Sequence, residues 1–556
     1  MRLALADRLC GPSRASLLTG RMPYKLEATR TNFIEFWEES GTELEYAMLP
    51  MQLRRQGYET FLVGKWHQGF YHPKYLPLQR GFDSFFGFLG GCEDHVDQRV
   101  CPTACEGDVY PGVGRPVDLF RDNGVAIGEN GTRIYSHNCL RFGAEASAVI
   151  RRYALRARAA TGRAEAPKPF FLFLSLQDPH APTQTPERFE RLYAHGNRLR
   201  NVYSGMVSAI DETVGNVSTE LKQAGFWANT LLVFASDNGA PVAGWGAGGS
   251  NHPLKGGKAT DWEGGVRTPA VVSGGWLPRQ RRGLTLSGLV HICDLYSTFC
   301  AAAGAVSSDS TPGCPHDAGS AAVDSLDMTG WWREGAPAAS PRREIVHDIN
   351  GFAKRGNRSG VLRLGEWKLV AKRQNQAWWF GPFSPEPPLN VSLAQRRVKA
   401  DLQQLLSEKK ATGLSRASRR ELRRALQREE RALRQQAHQV LNECMQAEAC
   451  SLGRPCLYHI PSDPEERRDV ALHEPLRVDA MRARLQARYD EFHLGAKPFG
   501  LPGEKASQAV LRWRRGYCGA ALQNAGLMAP WMAASDAVQT GRHGVSGSAV
   551  PMRFLR

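Results

Sequence analysis

No apolar run in the 556 residues is long enough to cross a bilayer as a helix, which excludes a helical membrane span within them. The opening residues, Met1 to Leu9, carry two arginines and an aspartate and lack the apolar core of a secretory leader, so no signal peptide is expected in the sequence as given. No cysteine pair with zinc-finger spacing is followed by a matching pair, and no internal repeat is visible. Intrinsic disorder is excluded by composition: 42% of residues are hydrophobic and 23% charged. A chain this long exceeds one simple core, so two domains with insertions are expected.

What is present points to an oxidising compartment. Twelve cysteines cluster as Cys92, Cys101, Cys105 and Cys139, then Cys444, Cys450 and Cys456, and disulfides are expected among them rather than metal sites. Sequons begin at Asn130, Asn216, Asn357 and Asn390. Together these favour a secretory-pathway glycoprotein whose leader lies outside this sequence. The formal charge of +16 invites a polyanionic partner. About half of that excess sits between Arg396 and Arg434, where 13 Lys/Arg face 5 Asp/Glu. That segment reads first as a solvated helical insertion, with a glycan- or membrane-contacting role as the alternative.

Along the first two thirds, short β-rich runs alternate with amphipathic stretches, the pattern of an α/β fold with a largely parallel sheet. The apolar runs 170–176 and 231–236 read as buried parallel strands. They close on Asp178-Pro179-His180 and on Asp237-Asn238-Gly239, where ligands gather in such sheets. Met206 to Leu221 has the spacing of a helix packed on the sheet. After a Gly/Ser/Ala-rich loop, Ala303 to Ala322, strands are expected at 345–349, 367–370 and 458–460. The expected division is 1–340 for the catalytic domain and 341–556 for a smaller domain with an antiparallel sheet, interrupted by the basic insertion at about 391–445.

The sharpest motif is C-G-P-S-R-A-S-L-L-T-G-R at 10–21. Pro12 and Ser13 suit a helix start and would set Cys10 at its positive end. A second block, 57–67, reads G-Y-E-T-F-L-V-G-K-W-H and is followed by Arg80-Gly81-Phe82-Asp83. Further blocks are Gln177-Asp178-Pro179-His180-Ala181-Pro182, Ser236-Asp237-Asn238-Gly239, and 251–258 followed by Trp262-Glu263-Gly264-Gly265-Val266-Arg267.

These blocks resemble the formylglycine-dependent type I sulfatases, with arylsulfatase B-like enzymes nearest in the 251–267 run. The resemblance covers Leu9 to about Gly335 well and the remainder weakly. It implies an alkaline-phosphatase-like mixed, largely parallel sheet flanked by helices, with a smaller C-terminal α+β domain. It implies hydrolysis of a sulfated carbohydrate or aryl sulfate, and a formylglycine-generating enzyme as a partner. Neither nucleic acid nor a membrane span is expected. Cys10 would become the aldehyde whose hydrate attacks sulfur. Arg14 would stabilise that hydrate, Lys65 hold a sulfate oxygen and His67 take a proton from the diol. His180 and Lys258, rather than Lys255, would contact sulfate and help protonate the leaving oxygen. Asp237, Asn238 and the modified Cys10 would bind Ca2+. Members of the family open with a buried strand ending in two aspartates that bind the ion, and that strand has no counterpart before Cys10. Its absence is expected to weaken calcium binding and leave an apolar slot or an exposed sheet edge. Two alternatives stay open: an inactive relative that binds sulfated glycans, and a phosphodiesterase or phosphonate hydrolase with the same nucleophile motif.

Overall fold

The computed structural model describes residues 4–26, 34, 36, 38–101, 116–126, 136–159, 168–242, 248–305, 323–335, 339–350, 359–374, 379 and 450–493. Asn130, Asn357, Asn390, Cys105, Cys444, most of the 303–322 loop, the basic insertion and the sequence after Gly500 lie outside the described residues. No helix among the described residues is long and apolar enough to cross a membrane.

The strands run in chain order as β1 (Ala4–Leu5), β2 (Glu59–Lys65), β3 (Ser84–Phe88), β4 (Phe120–Arg121), β5 (Gly124–Val125), β6 (Phe170–Ser175), β7 (Leu232–Ala235), β8 (Arg267–Thr268) and β9 (Ala270–Ser273). A second group comprises β10 (Glu344–Asn350), β11 (Ser359–Leu364), β12 (Trp367–Val370) and β13 (Cys456–His459). The principal helices are α1 (Cys10–Thr19), α2 (Leu49–Arg55), α3 (Asn138–Ala159), α4 (Glu187–Glu190), α5 (Arg198–Gln223), α6 (Glu263–Val266), α7 (Asp294–Ala302), α8 (Thr329–Arg333) and α9 (Pro475–His493).

The main sheet has the order β5-β4-β3-β2-β6, with β2 parallel to both β3 and β6. Alternation along β6 sends Phe170, Leu172 and Leu174 toward Ala146 and Ile150 of α3 and Val217 and Leu221 of α5. Phe171 and Phe173 join the opposite layer, with Leu17 and Leu18 of α1, Leu53 of α2 and Leu295 of α7. β7 straddles the same layers, Leu232 with the first and Val233 with the second. Yet β7 pairs only with β9, antiparallel, and no described strand joins it to β6.

The sheet is therefore divided, and the apolar residues of β6 and β7 are only half-buried. Two expectations are corrected here. The run at 231–236 forms a strand with an antiparallel partner, because a continuous apolar run reports burial and says nothing of partner direction. Neither strand reaches the full burial expected of a central strand.

The second sheet, β10-β11-β12-β13, is antiparallel throughout and is covered by Val478, Met481 and Leu485 of α9. Buried ion pairs couple it to the segment before β8. Lys368 Nζ lies 3.0 Å from Glu263 Oε1 and 2.8 Å from Glu466 Oε1. Arg8 reaches Asp261 at 3.0 Å and Asp348 at 2.8 Å. Disulfides join Cys92 to Cys101 and Cys450 to Cys456, and Cys300 is also disulfide-bonded. Cys139, expected in the first disulfide cluster, is instead a free buried thiol on α3, its Sγ 3.5 Å from Thr213 Oγ1 of α5. It fills a helix–helix contact as a small apolar side chain does. Asn216 is exposed on α5.

Candidate active site

The site lies where three strands end and one helix begins. β2 terminates in Lys65, and His67 follows two residues later. β6 terminates in Ser175 and leads to His180. β7 leads to Asp237 and Asn238, and α1 begins at Cys10. Parallel strands of an α/β sheet deliver side chains at their carboxyl ends for this reason. Cys10 occupies the first turn of α1 after an extended Leu9, so its thiol faces the positive end of the helix. The first turn is braced locally: Asp7 N donates to Ser13 Oγ at 3.0 Å and Leu9 N to Asp7 Oδ1 at 3.1 Å.

Close backbone approach makes the cluster possible. Gly64 has φ 108°, and a Cβ there would stand 2.1 Å from the Ser175 carbonyl oxygen. Removing that side chain lets β2 and β6 converge beneath Arg14. Arg14 Nε donates to Asp237 Oδ2 at 3.0 Å, and Arg14 Nη1 donates to Ser175 Oγ. Ser175 Oγ in turn donates to the Lys65 carbonyl at 2.7 Å. His67 sits in left-handed backbone, φ 57°, an unusual state for a non-glycine residue and one that clusters at functional sites. Gly91 makes room for its ring, since a Cβ there would approach Nε2 to 2.8 Å.

The electrostatics are those of an anion site. Burial pushes the Cys10 thiol up, but Lys65, Lys258, His67 and a hydrogen bond with His180 outweigh it and hold the thiol well below its ordinary range. Burial brings Lys65 down to about 8 against the opposing pull of Cys10. Burial also lowers His67, and burial together with Lys258 lowers His180 to about 4. Asp237 is pushed up by burial, yet Arg14, Lys65 and Lys258 leave it below the usual carboxylate range. Three cationic side chains thus face one carboxylate and the Cys10 sulfur, leaving positive charge to be met by a bound anion.

Seven of the eight residues singled out from the sequence meet here, Cys10, Arg14, Lys65, His67, His180, Asp237 and Lys258, and Asn238 follows Asp237 directly in the chain. Lys255 points elsewhere, its ammonium 3.9 Å from the Trp262 ring centre and 4.5 Å from that of Trp379. Ser175 was missed; its signal is a small polar residue ending an apolar strand. Asn238 Oδ1 is buried without a hydrogen-bond donor, as suits a cation ligand, while Asp237 is engaged by Arg14. These two side chains offer only part of the roughly 6–8 oxygens that Ca2+ takes.

Comparison with known proteins bears on this cluster. A family model described as sulfatase matches residues 4–305. Arylsulfatase J of Mus musculus is 32% identical over 393 residues, covering 67% of this chain and 58% of its own. N-acetylgalactosamine-6-sulfatase of Homo sapiens is 34% identical over 308 residues, covering 54% of each. The chain thus spans little more than half the length of these two relatives. Among solved structures, Ps i-CgsB in complex with k-i-k-neocarrahexaose has a TM-score of 0.60 at 22% identity and covers 92% of this chain and 89% of its own. PsFucS1 sulfatase from Pseudoalteromonas sp. has a TM-score of 0.54 at 20% identity, covering 87% and 82%. At these identities the two structures bear on the fold alone.

Proposed function

The chain belongs to the sulfatase family, and from that premise we propose that it hydrolyses sulfate esters of a sulfated sugar or aryl alcohol at Cys10. The observation that carries this reading is the convergence of Lys65, His67, His180 and Lys258 on a buried cysteine at a helix amino terminus. Oxidised to formylglycine by a formylglycine-generating enzyme, Cys10 supplies a hydrated aldehyde: one hydroxyl displaces the alcohol from sulfur, and the other later expels sulfate and restores the aldehyde.

The surrounding residues have separate tasks. Lys65 and Lys258 hold sulfate oxygens and offset the charge that builds on the transferring group. His180, with Lys258, delivers a proton to the leaving alcohol oxygen. His67 removes the proton from the second hydroxyl as the carbon–oxygen bond to sulfate breaks. Arg14, fixed by Asp237 and Ser175, orients the hydrate through its fork of donors. Asp237 and Asn238 would hold a Ca2+ ion, whose charge would neutralise sulfate oxygens. The disulfides and exposed Asn216 support synthesis in the secretory pathway.

The test begins with the peptide 9–14 released by cleavage after Arg8 and Arg14 from protein co-expressed with the formylglycine-generating enzyme. Mass spectrometry should find the thiol lost and an aldehyde gained, with 4-nitrocatechol sulfate turned over. Retention of an unmodified thiol in folded protein would remove the proposed nucleophile. A second reading is favoured by the partial calcium site: an inactive protein that binds sulfated glycans through Arg14, Lys65 and Lys258. It predicts retention on heparin without turnover, and calcium-dependent hydrolysis would eliminate it.

A further inference from the structure

Behind His180 lies a second cluster that the sulfate chemistry leaves unused. His95 follows β3, His137 immediately precedes α3, and Asp178 lies on the segment leading from β6 to His180. All three are buried, and one ligand atom from each falls within 4.8 Å of the others. We propose that His95, His137 and Asp178 bind a divalent transition-metal ion, zinc suiting the donor set best, which anchors the segment carrying His180.

The distances fit a shared ion. His95 Nδ1 is 3.2 Å from Asp178 Oδ2, and His137 Nε2 is 3.8 Å from Asp178 Oδ1, so coordination through Nε2 would replace its 3.0 Å contact with the Gln184 carbonyl and move the ring proton to Nδ1. Ligands bonded at about 2.0–2.2 Å to a tetrahedral ion stand about 3.3 Å apart, so small adjustments suffice. Asn138 Oδ1, 2.8 Å from His95 Nδ1, supplies a fourth donor, and its orientation is fixed because Asn138 Nδ2 donates to Glu93 Oε1 at 3.1 Å.

Unmet valences favour the ion over a plain polar cluster. Both Asp178 oxygens are buried without a well-aligned donor, His95 Nδ1 being close to one of them at 3.2 Å. His95 Nδ1 has one proton to give, and Asn138 Oδ1 is nearer to it than Asp178. A buried carboxylate whose nearest donor is poorly aligned is costly, and a cation removes that cost. His95 Nε2 stands 3.0 Å from the His180 carbonyl and 3.0 Å from Gln177 Nε2. Without metal, Nε2 can accept from Gln177. With Nδ1 on the ion, the proton moves to Nε2 and is donated to His180 O, the backbone partner that orients metal-bound imidazoles. Two imidazoles beside one carboxylate select zinc and its neighbours over Ca2+ or Mg2+, which take oxygen ligands.

Metal content tests this without reference to turnover, so failure would leave the proposed function standing. The full chain, untagged by polyhistidine and purified from zinc-supplemented secretory culture, should carry one zinc per molecule by plasma mass spectrometry. Removing it with dipicolinate should lower the melting temperature by several degrees, and Zn2+ but not Ca2+ should restore it. Co2+ substitution should give visible d–d bands. His137→Gln, with Asp178→Asn as a second variant should the first misfold, should lose both metal and bands at unchanged far-ultraviolet dichroism. Trace zinc in folded parent protein overturns the proposal, as does equal zinc in parent and variants; a lone His95–Asp178 ion pair would give the first result.

Discussion

Lys368→Met tests how the two sheets are held together. The Lys368 ammonium is buried between Glu263 and Glu466, at 3.0 and 2.8 Å, all three side chains being essentially inaccessible. One lysine cannot offset two carboxylates. Glu263 has further cations nearby, with Arg267 Nη1 3.9 Å from Oε2 and Arg363 also acting on it. Burial pushes Glu263 up, but Lys368 and Arg363 bring it down to about 2. Burial pushes Glu466 up, and although Lys368 opposes this, Glu263 adds to it and the net shift is upward. Glu466 is therefore the member readiest to carry a proton.

Removing the lysine strands a buried negative charge, which costs about 3–5 kcal/mol. Urea unfolding of Lys368→Met should show that loss at neutral pH. Glu466→Gln, which mimics the protonated acid, should cost much less than Glu263→Gln. Because the folded Glu263 value is depressed, its stabilisation is present above its ordinary range near 4.5 and fades as pH falls toward about 2. Lys368→Met should lose part of that acid sensitivity. If its urea midpoint matches that of the parent, the reading of a coupled buried triad is wrong.

Three further outcomes concern the active site. In modified protein, His67→Ala should release one equivalent of 4-nitrocatechol and then stall, leaving a sulfated enzyme visible by mass spectrometry; steady turnover would reassign the base. With His180, held below its ordinary range by burial and Lys258, as proton donor, kcat should fall as pH rises through the acid range. Substrate affinity should weaken as Lys65, held below its ordinary range by burial, loses its proton with rising pH, and Lys65→Arg should move that second limb upward in a KM profile. Gly64→Ala places a methyl against the Ser175 carbonyl in left-handed backbone, so a loss of at least about 3 kcal/mol in urea unfolding is expected.

Much of the candidate site was legible because its residues lie in compact blocks. C-G-P-S-R marks both the start of α1 and the cysteine, and G-K-W-H sets Lys65 and His67 at one strand end. The register of 251–267 separates Lys258 from Lys255, which the structure seats among Trp262, Trp379 and Tyr458. Hidden features join residues far apart in sequence. His95, His137 and Asp178 share no spacing, and Lys368 meets a carboxylate 105 residues away. Strand position was readable in the run 231–236, which holds β7 (Leu232–Ala235), whereas its pairing with β9 depends on the returning chain. The free Cys139 eluded a count of cysteines because pairing requires a second sulfur within reach.

The interval between β6 and β7 bears on handling as well as architecture. Among the described residues the outer edge of β6 has no strand partner, and the Phe and Leu side chains along it are half-covered, the two features that let an extended peptide add to a sheet. A short apolar peptide added in excess should therefore bind at this edge while leaving the ion pairs around Lys368 untouched, which amide exchange along β6 would register.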